Sequence, residues 1–194
     1  TPANYFHALR RQIHRDFRKP LIIMTPKSLL RNKLCVSNLE DFSKKNSFHR
    51  VLWDHAIDPN EKDFIKLKKA NKIKKVILCS GKIYFDLLEA REKIKKDDVV
   101  IFRIEQLYPF PVKSLVKEVK PYVKNAQFYW CQEEPKNMGA WFSVRDYIQW
   151  TLDYIRASNN KISYIGRNPA ASPATGYAKR HLAQQREIID KVFK

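Results

Sequence analysis

Cysteine is scarce in this 194-residue sequence, and the three that occur, Cys35, Cys79 and Cys131, lie far apart in or beside apolar stretches. No two of them form a CxxC pair, and none has the histidine-rich neighbourhood of a zinc site. An odd number of widely spaced cysteines provides no disulfide framework. We therefore expect three reduced cysteines in an intracellular protein, and no metal site.

Long apolar runs are also absent. The longest uncharged ones, such as residues 21–24 and 76–79, are far shorter than the roughly 20 residues that a membrane-spanning helix needs. No charged segment followed by an apolar one opens the chain as a signal sequence would. The chain begins Thr1-Pro2-Ala3, without methionine, and we interpret it as a piece of a longer polypeptide with no membrane partner.

The sequence also lacks the common catalytic motifs. It contains neither a GxSxG nucleophile elbow nor a GxGxxG dinucleotide fingerprint. The five histidines are scattered, and none of them neighbours a serine or cysteine that it could activate; they are His7, His14, His49, His55 and His181. These absences predict a chain without an independent active site.

Acidic residues are outnumbered: 38 lysines and arginines against 20 aspartates and glutamates give a net charge of +18. Such an excess raises the possibility of a nucleic-acid-binding module. The densest cluster is EKDFIKLKKANKIKKV, residues 61–76, but no helix-turn-helix, zinc-finger or aromatic RNA-binding signature accompanies it. A solvated basic surface is the favoured interpretation, and docking of the lysine-rich face to an acidic protein is a further alternative.

The first part of the chain has a loose pattern. Apolar residues at helical spacing predict a helix over 1–18, and an apolar run predicts a strand over 21–25. A short helix is expected within 38–45 and an edge strand within 48–54. No regular structure is predicted for 55–73.

From residue 74 short β-branched runs alternate with amphipathic stretches. We predict strands at 74–80, 98–105, 126–134 and 161–167, and helices at 81–95, 111–123, 138–157 and 175–193. Strands that alternate with helices indicate an α/β fold whose mostly parallel sheet is covered on both faces. The strands lack strict polar alternation, as expected when both of their faces are buried.

Polar residues gather where the predicted strands end. In open α/β sheets, ligands bind beyond the carboxyl ends of the strands, where successive crossovers go to opposite faces. This rule selects a candidate rim or interface set: Ser80, Lys82, Arg103, Glu133, Glu134, Asn137, Trp141 and Arg167.

Each part of this rim has two interpretations. The stretch Ser80-Gly81-Lys82 could hold a phosphate at a helix N-terminus, or simply begin a helix. The pair Glu133-Glu134 could act as general acid and base, but adjacent residues of a strand point to opposite faces. A structural role is therefore favoured for the pair, through ion pairs with Arg103, Arg167 or a neighbouring subunit.

Six strings in order resemble the C-terminal part of the E1 component of 2-oxoglutarate dehydrogenase. They are TPANYFHALRRQ, RKPLIIMTPKSLLR, LCSGKIYFDLLEARE, RIEQLYPFP, WCQEEPKNMGAW and GRNPAASPATGYAKRHLAQQ. Only residues 55–73 and 143–160 fall outside the resemblance. The related 2-oxoadipate dehydrogenase E1 is the alternative within the same class, and the last string favours the 2-oxoglutarate branch.

The resemblance implies an activity for the whole E1 subunit. Such enzymes use thiamine diphosphate and Mg²⁺ to decarboxylate 2-oxoglutarate, a step of the tricarboxylic acid cycle downstream of glycolysis. They then transfer the succinyl group to the lipoyl group of the E2 dihydrolipoyl succinyltransferase. The expected partners are the rest of the E1 chain, a second E1 subunit and E2, in the bacterial cytoplasm or the mitochondrial matrix; nucleic acid is disfavoured.

The resemblance also implies a domain organisation similar to that of transketolase. Residues 1–25 resemble the tail of the pyrimidine-binding domain, and residues 26–194 resemble the three-layer C-terminal domain, whose sheet has an antiparallel edge strand. The string FHRVLWD, residues 48–54, is the candidate for that strand. In the family, the catalytic, cofactor-binding and metal-binding motifs lie upstream of the segment that this chain resembles. The resemblance therefore assigns no catalytic, cofactor-binding or metal-binding residue to this chain.

Overall fold

The computed structural model describes residues 1–58 and 63–194 of the chain. They divide into two units, Thr1–His49 and Arg50–Lys194. The assignment of residues 1–25 and 26–194 to two domains of a longer enzyme stays a prediction.

The first unit contains one α-helix, α1 (Pro2–His14), which ends earlier than the predicted residue 18. The Thr1 hydroxyl accepts a hydrogen bond from the backbone N–H of Asn4 and caps the helix. The buried residues of α1 include Asn4 and His7, whereas the predicted apolar face, which includes Ile13, is exposed. Asn4 exchanges two hydrogen bonds with the backbone of His49, so polar contacts fix this helix within its unit.

The strand predicted over 21–25 does not form. These residues have no regular secondary structure, and Ile22 and Met24 are 82% and 90% exposed. A strand needs a neighbour that pairs with its backbone, and no described segment pairs with this one. The helix predicted within 38–45 is a short 3₁₀ turn, Leu39–Phe42, and a second such turn occupies Lys27–Arg31.

The second unit is built on a five-stranded sheet in the order β1-β3-β2-β4-β5. The strands are β1 (Val51–Leu52), β2 (Lys75–Cys79), β3 (Val99–Ile104), β4 (Gln127–Pro135) and β5 (Ile162–Arg167). All neighbouring strands are parallel except β1, which pairs antiparallel with β3. The predicted fold class and the antiparallel edge strand are therefore confirmed, although that strand is shorter than predicted.

Helices cover both faces of this sheet. They are α2 (Ile83–Ile94), α3 (Val112–Val119), α4 (Trp141–Tyr154) and α5 (Ala178–Phe193). Helices α3 and α4 pack together over a core that includes Val76 and Leu78, while α2 and α5 pack together on the opposite face. Ile77 and Cys79, which alternate with those residues along β2, are buried there because successive strand residues point to opposite faces.

The region for which no regular structure is predicted, 55–73, contains two short 3₁₀ turns, His55–Ile57 and Ala70–Lys72. The start of the lysine-rich cluster, residues 61 and 62, lies outside the described residues. Within the described part of the chain, no helix is long and apolar enough to cross a membrane.

Candidate functional site

The carboxyl ends of β2 and β4 flank the point where the chain changes direction across the sheet. The chain leaves β2 through α2 to reach β3, and then returns across β2 through α3 to reach β4. Two of the predicted rim residues meet at this switch point: Lys82 Nζ lies 2.8 Å from Glu133 Oε2. The same ammonium lies 2.9 Å from Asp86 Oδ2, one turn into α2.

The charge of Lys82 is held in place by these two carboxylates. Burial alone lowers the pKa of Lys82, but the hydrogen bonds to Glu133 and Asp86 outweigh that effect and raise it. Lys82 is therefore a protonated bridge between α2 and β4. Ser80, the other polar residue of this predicted phosphate stretch, lies half-buried directly after β2.

Helix α5 completes this rim through Gln185. The side-chain nitrogen of Gln185 donates to Asp86 Oδ2 at 2.8 Å and to Glu133 Oε2 at 3.3 Å. Its oxygen accepts from Arg167 Nη2 at 3.2 Å, and the same Arg167 nitrogen lies 3.1 Å from His181 Nδ1. The polar groups of α2, β4, β5 and α5 thus satisfy one another.

The two adjacent glutamates do not share a site. Glu133 faces Lys82, whereas Glu134 is exposed, and the backbone carbonyl of Glu134 accepts a hydrogen bond from the Tyr164 hydroxyl at 3.4 Å. Among the described residues Glu133 pairs with Lys82, and neither glutamate forms the predicted ion pair with Arg103 or Arg167; pairing with a neighbouring subunit stays a prediction. The alternation of side chains along β4 explains why the two acids cannot act together.

The corner after β4 is organised by Gln132, whose role was not predicted from the sequence. Its side chain is 2% exposed, and its oxygen accepts from the indole N–H of Trp130 at 2.9 Å and from the backbone N–H of Trp141 at 3.0 Å. Its nitrogen donates to the carbonyls of Met138 at 2.7 Å and Pro135 at 3.1 Å. One buried amide therefore connects the strand, the turn and the start of α4.

Two further predicted residues belong to the same corner. Trp141 is buried, begins α4, and places its ring 5.3 Å from that of Tyr164. The Asn137 amide donates to the carbonyl of Ala170 at 2.9 Å and accepts from the backbone N–H of Ala170 at 3.0 Å. These two bonds attach the turn that follows β5 to the corner that follows β4.

Arg103 does not lie open on the rim. Its side chain is buried, and its guanidinium carbon is 4.0 Å from the centre of the Tyr84 ring and 5.4 Å from that of Phe85. Its Nε has no hydrogen-bond partner among residues 1–58 and 63–194. The charge is thus stabilised mainly by the faces of two aromatic rings.

A buried ion pair near Arg103 was not predicted. Asp54 and Arg91 are both fully buried and form a bidentate pair, in which Arg91 Nη2 donates to Asp54 Oδ1 at 2.8 Å and Nη1 bonds to Oδ2. Asp54 Oδ2 also accepts from the backbone N–H of Ile101 at 2.8 Å. The pair thus connects the segment after β1 to α2 and β3.

His55 continues this buried cluster. Its backbone N–H donates to the Tyr84 hydroxyl at 3.1 Å, and its Nδ1 lies 2.5 Å from the same oxygen. Burial, together with the nearby charge of Arg103, lowers the pKa of His55 to about 4. The imidazole is therefore neutral at pH 7, and its Nδ1 shares a hydrogen bond with the Tyr84 hydroxyl.

The described residues contain neither a grouped set of metal ligands nor an activated thiol. No three of their His, Cys, Asp or Glu side chains are grouped to hold a metal ion. Burial raises the pKa of the thiols of Cys79 and Cys131, so neither is a thiolate nucleophile at neutral pH. What the arrangement does is hold helices and turns at the carboxyl edge of the sheet.

Comparisons with known proteins show which family the sequence resembles. A family model described as 2-oxoglutarate dehydrogenase C-terminal matches residues 36–193. The chain is 58% identical over 190 residues to a 2-oxoglutarate dehydrogenase E1 component of Brucella anthropi, and 57% identical to one of Brucella ovis. Each alignment covers 98% of this chain but only 19% of the relative, so the chain spans about a fifth of the length of these curated relatives.

Proposed function

The chain belongs to the 2-oxoglutarate dehydrogenase C-terminal family. We propose that it serves as the C-terminal structural domain of an E1 enzyme and supplies no catalytic group. The observation that carries this proposal is that polar groups of the rim form hydrogen bonds and ion pairs with one another. Lys82, Glu133, Arg167 and Gln185 bond to one another. A rim of this kind positions helices and turns at the carboxyl edge of the sheet.

The activity proposed for the whole polypeptide is the decarboxylation of 2-oxoglutarate and the transfer of the succinyl group to the lipoyl group of E2. Thiamine diphosphate with Mg²⁺ would supply the chemistry of decarboxylation. The described residues show no group of three or more His, Cys, Asp or Glu side chains that could hold the Mg²⁺. The groups that hold the cofactor would therefore belong to the remainder of the E1 chain. The proposed compartment of the enzyme is the bacterial cytoplasm or, in a eukaryote, the mitochondrial matrix.

A direct test mixes the 194-residue chain with thiamine diphosphate, Mg²⁺ and 2-oxoglutarate, and measures released CO₂. We expect none from the chain alone. We expect activity from the full E1 polypeptide, and its loss when residues 50–194 are deleted. Decarboxylation by the isolated chain, or full activity after the deletion, would contradict the proposal. A parallel assay with 2-oxoadipate distinguishes the alternative branch.

The corner formed by Glu133 to Trp141 is proposed as a contact with the rest of the E1 chain or with a second E1 subunit. Its support is the rigid network around Gln132 and the exposed carboxylate of Glu134 beside it. In full-length enzyme, Glu134→Ala should weaken dimer assembly measured by sedimentation, while Asp146→Ala, at another exposed carboxylate, should not. Unchanged assembly and turnover in both variants would overturn this contact.

The lysine-rich cluster gives less support to the two other partners, nucleic acid and E2. Lys68 pairs with Asp97 at 2.9 Å, Lys74 lies 3.6 Å from Asp98, and Lys75 donates to the carbonyl of Val192. Part of the cluster is therefore engaged within the chain. Charge reversal at the exposed Lys69 and Lys72 followed by pull-down with E2 tests the docking alternative, and retained binding would discard it.

A further inference from the structure

A small cavity of about 130 Å³ lies beside the carboxyl end of β5, separate from the Lys82–Glu133 rim. One wall is the turn that follows β5, and the other is one face of α5, where residues at spacings of three and four lie together. The lining side chains that matter here are Arg167, Asn168, Arg180, Gln184, Glu187 and Lys191. One water molecule needs roughly 10–15 Å³, so the cavity has room for a phosphate-sized group.

The charge around this cavity is positive. Its only carboxylate, among the described residues that line it, is Glu187, whose Oε1 already pairs with Lys191 Nζ at 2.6 Å. Arg180 has no ion-pair or hydrogen-bond partner in the described part of the chain. Arg167 uses its Nη2 for His181 and Gln185. The two guanidinium groups therefore bring more positive charge to the cavity than its lining neutralises.

Two polar atoms at this place are shielded from solvent and lack a partner. Arg167 Nε and Gln184 Oε1 form no hydrogen bond with any described residue. Buried polar atoms in folded proteins nearly always have a protein or water partner, and each exception calls for an explanation. A molecule the size of water does not reach these two atoms, so the indication of a ligand is the excess positive charge of the lining, which fits an anion that the chain itself does not supply.

We propose that this cavity binds a tetrahedral oxyanion of the phosphate class, held by Arg167 and Arg180 with Gln184 at its side. A guanidinium presents its N–H groups in a planar fork that matches two oxygens of a phosphate group. The bound anion would connect the turn after β5 to α5. The source is either free inorganic phosphate or the phosphate group of a larger molecule.

The test titrates the 194-residue chain with sodium phosphate by isothermal calorimetry, in sulfate-free buffer of constant ionic strength. We expect one saturable site in the wild type. Arg180→Gln should weaken binding about tenfold, since loss of one hydrogen bond to a charged group changes affinity by roughly that factor. Arg180 is exposed, so this variant should fold normally.

The matched control is Lys179→Gln, the same change of charge at the adjacent residue of α5. Lys179 lines the groove between α2 and α5 and does not line the cavity. It should leave phosphate binding unchanged. Equal weakening in both variants would show that phosphate only responds to the net charge of +18, and would overturn the proposal, as would the absence of saturable binding.

A second measurement locates the ligand and distinguishes its source. In proton–nitrogen NMR spectra, phosphate should shift the Nε–H resonance of Arg167, and an equal concentration of chloride should not. Glycerol phosphate should bind at least as tightly as inorganic phosphate if the site receives the phosphate group of a larger molecule, and more weakly if it encloses the free ion. An unshifted Arg167 resonance under saturating phosphate contradicts the site.

Discussion

At position 139, the backbone and packing of the corner after β4 require glycine. The φ of Gly139 is +66°, a left-handed conformation that side chains disfavour, and a Cβ there would lie 2.8 Å from Gln132 Nε2. Gly176, in contrast, has no left-handed φ, and a Cβ at that residue would meet nothing within 4 Å. The two glycines therefore differ in both strain and space.

We predict that Gly139→Ala lowers the free energy of unfolding by about 1–3 kcal/mol, because the methyl group adds backbone strain and displaces the Gln132 amide. Gly176→Ala should change it by less than about 0.5 kcal/mol. Urea denaturation of both variants checks this. Equal free energies of unfolding for the two variants would contradict the prediction, because the corner would then accept the methyl group without loss of stability.

His55 makes stability depend on pH. The folded chain holds it neutral, with a pKa of about 4 against 6.5 for an ordinary histidine. Between these values the unfolded chain binds the additional proton, so the free energy of unfolding falls as pH decreases from about 6.5 to about 4. A shift of this size corresponds to a loss on the order of 3 kcal/mol.

The measurement is urea denaturation of the wild type, His55→Gln and the exposed control His14→Gln, at several pH values between 7 and 4. The wild type and His14→Gln should lose stability in parallel. His55→Gln should show a smaller loss over the same interval, because glutamine does not titrate. Identical pH dependence in all three proteins would contradict the assignment of this effect to His55.

At the level of secondary structure, the Asp54–Arg91 pair connects the segment after the edge strand to α2 and β3. Both side chains are fully buried, and removal of Asp54 leaves the Arg91 guanidinium with Glu92, at 3.1 Å, as its remaining carboxylate partner. Asp54→Ala should therefore destabilise the fold by about 3–5 kcal/mol. The exposed pair of Lys68 and Asp97 offers the comparison, and Asp97→Ala should destabilise the fold far less, because water screens this pair.

A double-mutant cycle tests the coupling. Asp54→Ala combined with Arg91→Met should destabilise the fold by less than the sum of the two single changes, because the buried guanidinium charge is then gone. Additive effects would mean that the two residues act independently. The free energies come from denaturant unfolding of the four proteins.

The secondary structure of residues 74–194 could be predicted closely from the sequence. The strand predicted over 74–80 is β2, Lys75–Cys79, and the helix predicted over 175–193 is α5, Ala178–Phe193. Apolar runs and helical spacing report burial on the two faces of a sheet, so local pattern suffices there. Ile94, the last residue of α2, is exposed although it is apolar.

Local sequence patterns fail to predict structure where contacts with distant segments determine it. The apolar run at 21–25 has strand composition, but a strand exists only where a second backbone pairs with it. The apolar face predicted for α1 is likewise exposed, while Asn4 and His7 are buried. Polar contacts such as the one between Asn4 and His49 have no periodicity by which a sequence pattern could reveal them.

At the scale of the whole molecule, the unit Arg50–Lys194 has its own hydrophobic core. Every residue of that core lies at or beyond Val51, whereas the fully buried residues of α1 are only Ala3, Asn4 and His7. A domain needs enough buried apolar surface to offset the loss of chain entropy. The second unit meets this requirement far better than the first.

We therefore predict that residues 50–194 expressed alone fold cooperatively, and that residues 1–49 expressed alone do not. Circular dichroism should show a single thermal transition for the longer piece and no transition for the shorter one. Proton–nitrogen NMR should show dispersed amide signals only for 50–194. A collapsed spectrum for that piece would mean that its core depends on the first unit.

The sequence by itself determined the α/β class, the order of strands and helices from residue 74 onward, and the family. These properties are encoded in local apolar patterns and in contiguous strings, which can be read without knowing which residues meet. Only the tertiary structure decided that Glu133 pairs with Lys82, that Gln132 organises the corner, and that Asp54 and Arg91 pair inside. Such contacts join residues far apart in the chain, and their partners depend on the geometry of the folded sheet.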